Sequence, residues 1–259
     1  VYTYEFGEGV DRWTVAAGAL GNGGSRWLPV RHPALYCAEV FATFARAQGI
    51  VLKAPARAEA APRGTVLAEL ESAPMREVLR DMLKYSTNVT AEAVGLAATS
   101  RRAERPADLT VSAERMSAWL GGRIASDRPS LVDHSGLGDR SRLCASDMVQ
   151  ALVRLGPTAG LAPILKDIPM RDEKYRRVDN HPATVVAKTG TLNFVSALAG
   201  YVTLRNGRQM AFATFSADTE RRAGIPRADR EAPEGAAPWA SRARILQMRL
   251  IDRWSRLPA

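Results

Sequence analysis

The chain has 259 residues, 46% of them hydrophobic and 24% charged, enough apolar material for one large folded domain or two modest ones. No run approaches the ~20 continuous apolar residues that cross a bilayer, so no transmembrane segment is expected. The formal charge of +9 invites an anionic partner. The cations are dispersed among acids, however, as in Arg221-Arg222 and Asp229-Arg230-Glu231, and no basic helix carries interleaved aromatics. An arginine-rich solvated surface and no nucleic acid are expected.

The first six residues, Val1 to Phe6, have neither the basic start nor the apolar core of a secretory signal. Because the chain does not begin with Met, that observation carries nothing about compartment. Alternation in Trp13-Thr14-Val15-Ala16-Ala17 predicts a strand, and Gly21-Asn22-Gly23-Gly24 a hairpin turn. After Pro33, the spacing of Leu35, Val40, Phe41 and Phe44 predicts a helix stopped by Gly49. Residues 53–65, with Ala54-Pro55 and Ala61-Pro62, read as an exposed connector, and Thr65 to Leu70 as a strand. From Pro74, Met75, Val78, Leu79, Met82 and Leu83 share one helical face. That helix ends around Tyr85-Ser86-Thr87-Asn88, and an alanine-rich helix follows from Val89. Further helices are expected at Ser112–Leu120 and Asp147–Leu155.

An apolar run, Thr184-Val185-Val186-Ala187, leads into Lys188-Thr189-Gly190-Thr191. Leu198–Leu204 and Gln209–Phe215 read as strands joined by an Asn206-Gly207 hairpin. Residues 219–238 read as a surface loop. The chain closes on an amphipathic helix with Trp239, Ala243, Leu246, Leu250 and Trp254 on one stripe. Cys37 and Cys144 make no disulfide framework and read as free or buried. His32, His134 and His181 are scattered, so no metal site and no cofactor are expected.

Chemistry concentrates in two triplets about a hundred residues apart. Lys-Thr-Gly ending a strand is one wall of the active site in penicillin-recognising serine enzymes, although chance supplies such a triplet in roughly one chain in twenty of this size. Ser86-Thr87-Asn88 alone reads as a helix cap. Together they fit acyl transfer on a peptide ending in a free carboxylate. A hydroxyl and an amide at Ser86 and Asn88 suit proton relay and amide binding. Lys188 supplies a positive field, and Thr189 and Thr191 supply hydroxyls for the carboxylate. Gly190, lacking a side chain, lets substrate backbone approach the strand edge.

With these residues in order, the chain resembles the D-alanyl-D-alanine carboxypeptidase/endopeptidase group of penicillin-binding proteins, peptidase family S13, in its C-terminal part. The resemblance rests on Leu79 to Asn88 with Ala91-Glu92, on Asp133-His134-Ser135-Gly136-Leu137, and on Lys188 to Leu192 with the following hairpin and terminal helix. It implies an α/β (α+β) fold, the transpeptidase-like domain shared by penicillin-binding proteins and serine β-lactamases, with an antiparallel sheet flanked by helices. Residues 1–60 would be the tail of an inserted domain with its connector, and 61–259 the larger part of the catalytic domain. The implied substrate is the peptidoglycan stem peptide, with β-lactam antibiotics as ligands of the intact parent and the periplasm or cell envelope as its location. Catalytic roles fall to Ser86, Asn88 and Lys188, and substrate binding to Thr189, Gly190 and Thr191.

One motif departs from that pattern. The family nucleophile sits in Ser-x-x-Lys. Three residues before Lys53, Lys84, Lys166, Lys174 and Lys188 stand Ile50, Asp81, Pro163, Arg171 and Val185. No nucleophile motif is therefore present among these residues, and the chain alone is expected to be inactive. Asp133-His134-Ser135 mimics a triad in composition only, since adjacent side chains diverge; a turn with structural hydrogen bonds is expected there. The alternative to a serine-type D-Ala-D-Ala carboxypeptidase, or possibly endopeptidase, is a non-catalytic peptidoglycan-binding or regulatory protein of the same fold. A serine β-lactamase fits less well, because no acidic deacylation motif is evident.

Overall fold

The computed structural model describes residues 2–17, 23, 28–60, 64–102, 104–226, 229 and 233–256. The chain divides into two units, residues 1–70 and 71–259.

In the first unit, β1 (Tyr2–Gly7) and β2 (Val10–Val15) pair antiparallel with Gly7 opposite Val10. Glu8 and Gly9 both take positive φ, 54° and 76°, the combination a two-residue hairpin of matching twist requires. Alternation marks only the second strand in the sequence; β1, which overlaps the opening Val1 to Phe6 segment, is not expected from it. Most of the Gly21-Asn22-Gly23-Gly24 turn lies outside the described residues. Helix α1 (Pro33–Ala47) begins with its proline in the first turn, where the missing N–H costs nothing. Gly49 at φ +79° follows its end. Its apolar stripe is open, with Phe41 66% and Phe44 69% exposed. The strand expected at Thr65–Leu70 is absent. Residues 64–70 are irregular, Leu67 and Leu70 are almost fully exposed, and an apolar run without a pairing edge does not make a strand.

The second unit is a four-stranded antiparallel sheet, order β3-β4-β5-β6, with helices packed against it. Its elements are α2 (Met75–Tyr85), α3 (Asn88–Arg102), α4 (Leu109–Ile124), α5 (Ala145–Ala159), β3 (Lys166–Asp167), β4 (Thr184–Leu192), β5 (Val195–Thr203), β6 (Gln209–Ala217), α6 (Thr219–Ala223) and α7 (Ala236–Ser255). Strands β4, β5 and β6 are joined by tight hairpins and paired along their full length. The loop expected over 219–238 therefore contains α6 and the first turn of α7.

Two apolar layers sandwich the sheet. Val185, Ala187, Leu198, Val202 and Phe212 pack with Met248 and Ile251 of α7. On the other face, Leu152 of α5 packs with Ala199 and Tyr201, and Val186 joins them. The line of α7 that sinks deepest differs from the expected stripe. Ala236, Ala240, Ala243, Gln247, Met248 and Ile251 are buried, whereas Leu246 is 49% exposed. Small residues let the helix sit close on the sheet, and Gln247 Nε2 donates to Ser196 Oγ at 3.1 Å, which satisfies both buried groups. Close approach recurs between strands. A Cβ on Gly200 would lie 2.2 Å from the Val186 carbonyl oxygen and 2.6 Å from Ala187 Cα. The start of α5 is tied by fully buried Asp147, which accepts from Cys144 Sγ at 2.9 Å and from Arg128 at 2.6 Å.

Candidate active site

Helix α2 earns its place by amphipathicity, with Val78, Leu79, Met82 and Leu83 turned inward and charged residues outward. It ends at Ser86, whose φ of 57° and ψ of 48° are left-handed, and whose N–H returns to the Met82 carbonyl. A side chain in this region costs of order 1 kcal/mol. Here it turns the chain sharply, so that α3 restarts two residues on, with the Ala91 N–H received by the Thr87 carbonyl at 3.1 Å. Tyr85 to Val89 all lie exposed.

Ser86 Oγ, which local sequence would make a helix cap, instead accepts from Lys188 Nζ at 2.5 Å. The same ammonium donates to the Thr189 carbonyl at 2.5 Å. Burial pushes the Lys188 pKa below its ordinary value, and the charge of Lys166 adds to that. Lys166 stands on β3, opposite Ala187. Because Lys188 donates to Ser86, the Ser86 proton is free to point to a third group.

The backbone of β4 completes the arrangement. Strand β3 pairs with Val186 and Ala187 alone, and the Ile168 N–H reaches the Val185 carbonyl. Backbone groups alternate sides along a strand, so Ala187, Thr189 and Thr191 turn theirs toward that edge, which has no strand partner beyond Ala187. The Thr191 N–H and carbonyl therefore face an open edge beside Lys188. The Thr189 and Thr191 side chains are exposed on the face opposite Lys188. Gly190 pairs with Ala197, and a Cβ there would approach the Ala197 methyl to 3.2 Å. Of the sequence-derived residues, the fold thus joins Ser86 to Lys188 and sets Thr189 to Thr191 beside them. Asn88 opens α3 in the same exposed loop, and among the described residues no hydrogen bond links it to Lys188.

Glu92, one helical turn beyond Asn88, belongs to the resemblance but carries no role in the sequence reading. Its carboxylate accepts the His134 and Ser135 N–H groups, each at 3.0 Å. Burial alone would raise its pKa, but the Ser135 hydroxyl and the two N–H groups more than reverse that, and the net shift is downward. The i, i+4 spacing from Asn88 was the available signal. Asp133 holds the same turn by accepting from the Gly136 and Gly138 N–H groups. His134 points away from Ser135. Its Nε2 meets buried Ser112 Oγ at 2.8 Å, and its ring presses on Gly95, where a Cβ would clash at 2.1 Å. Since Ser112 donates onward to Thr99, and Thr99 to the Gly95 carbonyl, the His134 proton sits on Nε2. The three adjacent residues form no relay.

The site is an open shelf rather than a cavity. A hollow of about 650 Å³ lined by Leu96, Ser100, Arg105, Pro106, Asp108 and Leu109 shares no residue with it. Among the described residues no group of histidines, cysteines and carboxylates is placed to hold a metal ion.

Residues 10–233 match the D-Ala-D-Ala carboxypeptidase 3 (S13) family. The chain belongs to that family. The matched span of this S13 chain includes Ser86, Asn88 and Lys188. It is 34% identical over 165 residues to carboxypeptidase DacB of Mycolicibacterium smegmatis, covering 59% of this chain and 36% of that protein. To D-alanyl-D-alanine carboxypeptidase DacB of Haemophilus influenzae it is 25% identical over 195 residues, or 72% of this chain and 41% of the relative. Among solved structures, penicillin-binding protein 4 from Haemophilus influenzae superposes with a TM-score of 0.62 at 22% identity, covering 83% of this chain and 48% of that one. The same protein complexed with a β-lactam gives 0.61 at 21% identity, covering 86% and 52%. These structural likenesses show the fold, an antiparallel sheet flanked by helices. The S13 chain spans under half the length of the curated relatives.

Proposed function

We propose that these residues form one wall of a D-Ala-D-Ala carboxypeptidase site acting on peptidoglycan stem peptides in the cell envelope. The observation that carries this is the Lys188–Ser86 contact at 2.5 Å, which unites triplets 102 residues apart beside an open strand edge. A nucleophilic serine outside these 259 residues attacks the carbonyl of the penultimate residue, and the bond to the terminal D-Ala nitrogen breaks. Ser86 passes its proton to that leaving nitrogen and recovers one from Lys188. The proton released by the attacking serine is taken by the lysine of its own Ser-x-x-Lys segment and makes good that loss. Water then releases the acyl group as a carboxylic acid and returns the serine its proton. The Thr191 N–H and carbonyl pair with substrate backbone, and the N–H is placed to donate to a developing oxyanion. The Lys188 ammonium draws the terminal carboxylate, the Thr189 and Thr191 side chains lying on the opposite face of β4, and Asn88 holds the acyl-side amide. Residues 1–60 belong to an inserted region and 61–259 to the catalytic part. In a longer chain carrying these residues and a Ser-x-x-Lys segment, labelled penicillin is taken up covalently. Lys188→Ala and Ser86→Ala there slow acylation about a hundredfold or more; labelling at the parental rate in both variants refutes the proposal.

A further inference from the structure

The turn that ends β4 lies two residues beyond Thr191, and its conformation is unusual. Leu192 pairs with Val195, so Asn193 and Phe194 form a two-residue hairpin turn. Hairpin turns of this length match the twist of their strands when the first central residue, or both, take positive φ. Here Asn193 does not, and Phe194 does, at 57°. A bulky side chain thus stands where glycine or asparagine would enter at little cost. Such a conformation persists only where its surroundings over-determine it.

Those surroundings come from the segment after β6. Phe194 is only 1% exposed. Arg221 of α6 places its guanidinium 4.7 Å from the centroid of the ring, and Trp239 of α7 meets it edge-on at 6.1 Å. Both carbonyls of the turn are engaged. The Asp218 N–H donates to that of Phe194 at 2.9 Å, and Arg222 Nη1 donates to that of Asn193 at 3.1 Å. Asp218 also caps α6, its side chain accepting the Arg221 N–H at 3.0 Å and its carbonyl the Arg222 N–H at 3.0 Å. The Asp218 contact continues the β5–β6 ladder beyond the Val195–Ala217 pair. The Arg222 contact reaches instead to the β4 side of the turn.

Beyond Ala187, β4 has a strand partner on one side only, β5. Thr191, whose N–H faces the open edge, is therefore located by β5 and by the turn. A donor aimed at developing charge is effective when it is held in place before reaction, and a misplacement of about 1 Å costs about a hundredfold in rate. We infer that Arg222 is a positioning residue for acyl transfer, holding the Asn193 carbonyl and through it the end of β4 and the aim of the Thr191 N–H. This rests on the carboxypeptidase reading above. Arg222 touches no reacting atom and acts through the turn.

Two measurements test it. In the 259-residue chain, amide hydrogen exchange followed by NMR reports on the strand directly. The Gly190 and Leu192 N–H groups face β5, opposite in sense to Thr191, and in Arg222→Ala they are expected to exchange about tenfold faster, while amides shared by β5 and β6 exchange as in the parent. In a longer chain carrying these residues and a Ser-x-x-Lys segment, the kinetics of labelled penicillin separate reversible binding from acylation. Arg222→Ala is expected to slow acylation about tenfold and to leave the reversible dissociation constant within about twofold, since oxyanion donation is made in the transition state. Arg222→Lys, which keeps a donor for the Asn193 carbonyl, recovers most of the rate. Arg128→Ala, which loses the bond to buried Asp147, lowers the thermal midpoint and leaves acylation at the parental rate, so that stability and positioning are told apart. Unchanged exchange at Gly190 and Leu192 overturns the inference, as does acylation of Arg222→Ala at the parental rate. A parent that takes up no penicillin refutes the carboxypeptidase reading instead, and the exchange measurement still decides whether Arg222 holds the end of β4.

Discussion

Ser86 and Glu92 flank the start of α3, and each acts by fixing the position of something else. Ser86 turns the chain in a left-handed conformation and receives the Lys188 ammonium. Glu92 holds the 133–136 turn against α3 through two N–H bonds. Its folded pKa is lowered, so between the folded and unfolded values the unfolded chain binds more protons. The stabilisation is therefore complete above the unfolded pKa and lost as pH falls through the folded one. Glu92→Gln is expected to cost about 1–2 kcal/mol at neutral pH, measured by urea denaturation. The gap between parent and variant narrows as pH falls through the lowered folded pKa and the native carboxyl protonates; a gap independent of pH counts against this assignment.

At the scale of elements, the close approach of β4 and β5 aims Lys188. Gly200 faces Ala187, and no Cβ fits between them. Gly200→Ala is expected to cost about 3 kcal/mol, read as a lowered thermal midpoint, and to displace the strand that carries Lys188; an unchanged midpoint argues against tight register there. The pattern of residues made β5, β6 and α2 legible, because Asn206-Gly207 and the Val78–Leu83 spacing are local signals. Other features depend on distant partners that local pattern does not contain. Thr65–Leu70 is apolar enough for a strand but pairs with no other strand among the described residues. The deepest line of α7 runs through alanines and Gln247 because Ser196, 51 residues away, supplies a hydrogen bond. Ser86 looked like a cap because Lys188 is absent from its neighbourhood in sequence. The triplets themselves were visible; their junction, the role of Glu92 and the inward turn of His134 needed the fold.

Over the whole molecule, the match over residues 10–233 puts this chain in the D-Ala-D-Ala carboxypeptidase 3 (S13) family, while the five lysines show no Ser-x-x-Lys among these residues. An acyl-transfer site without its nucleophile loses on the order of 10⁶ in turnover, and part of its binding survives. Ser86 then has Lys188 beside it but no acyl group to act on, and Ser135 is tied by its N–H and hydroxyl to Glu92, with its imidazole neighbour turned away. The central claim is that the shelf formed by Ser86, Asn88 and Lys188 serves a serine supplied from outside these 259 residues. The most direct measurement is the intact mass of the purified 259-residue chain after incubation with excess penicillin. An unchanged mass is predicted; a mass increased by one penicillin and mapped to Ser86, Ser135 or any other serine of this chain would contradict it.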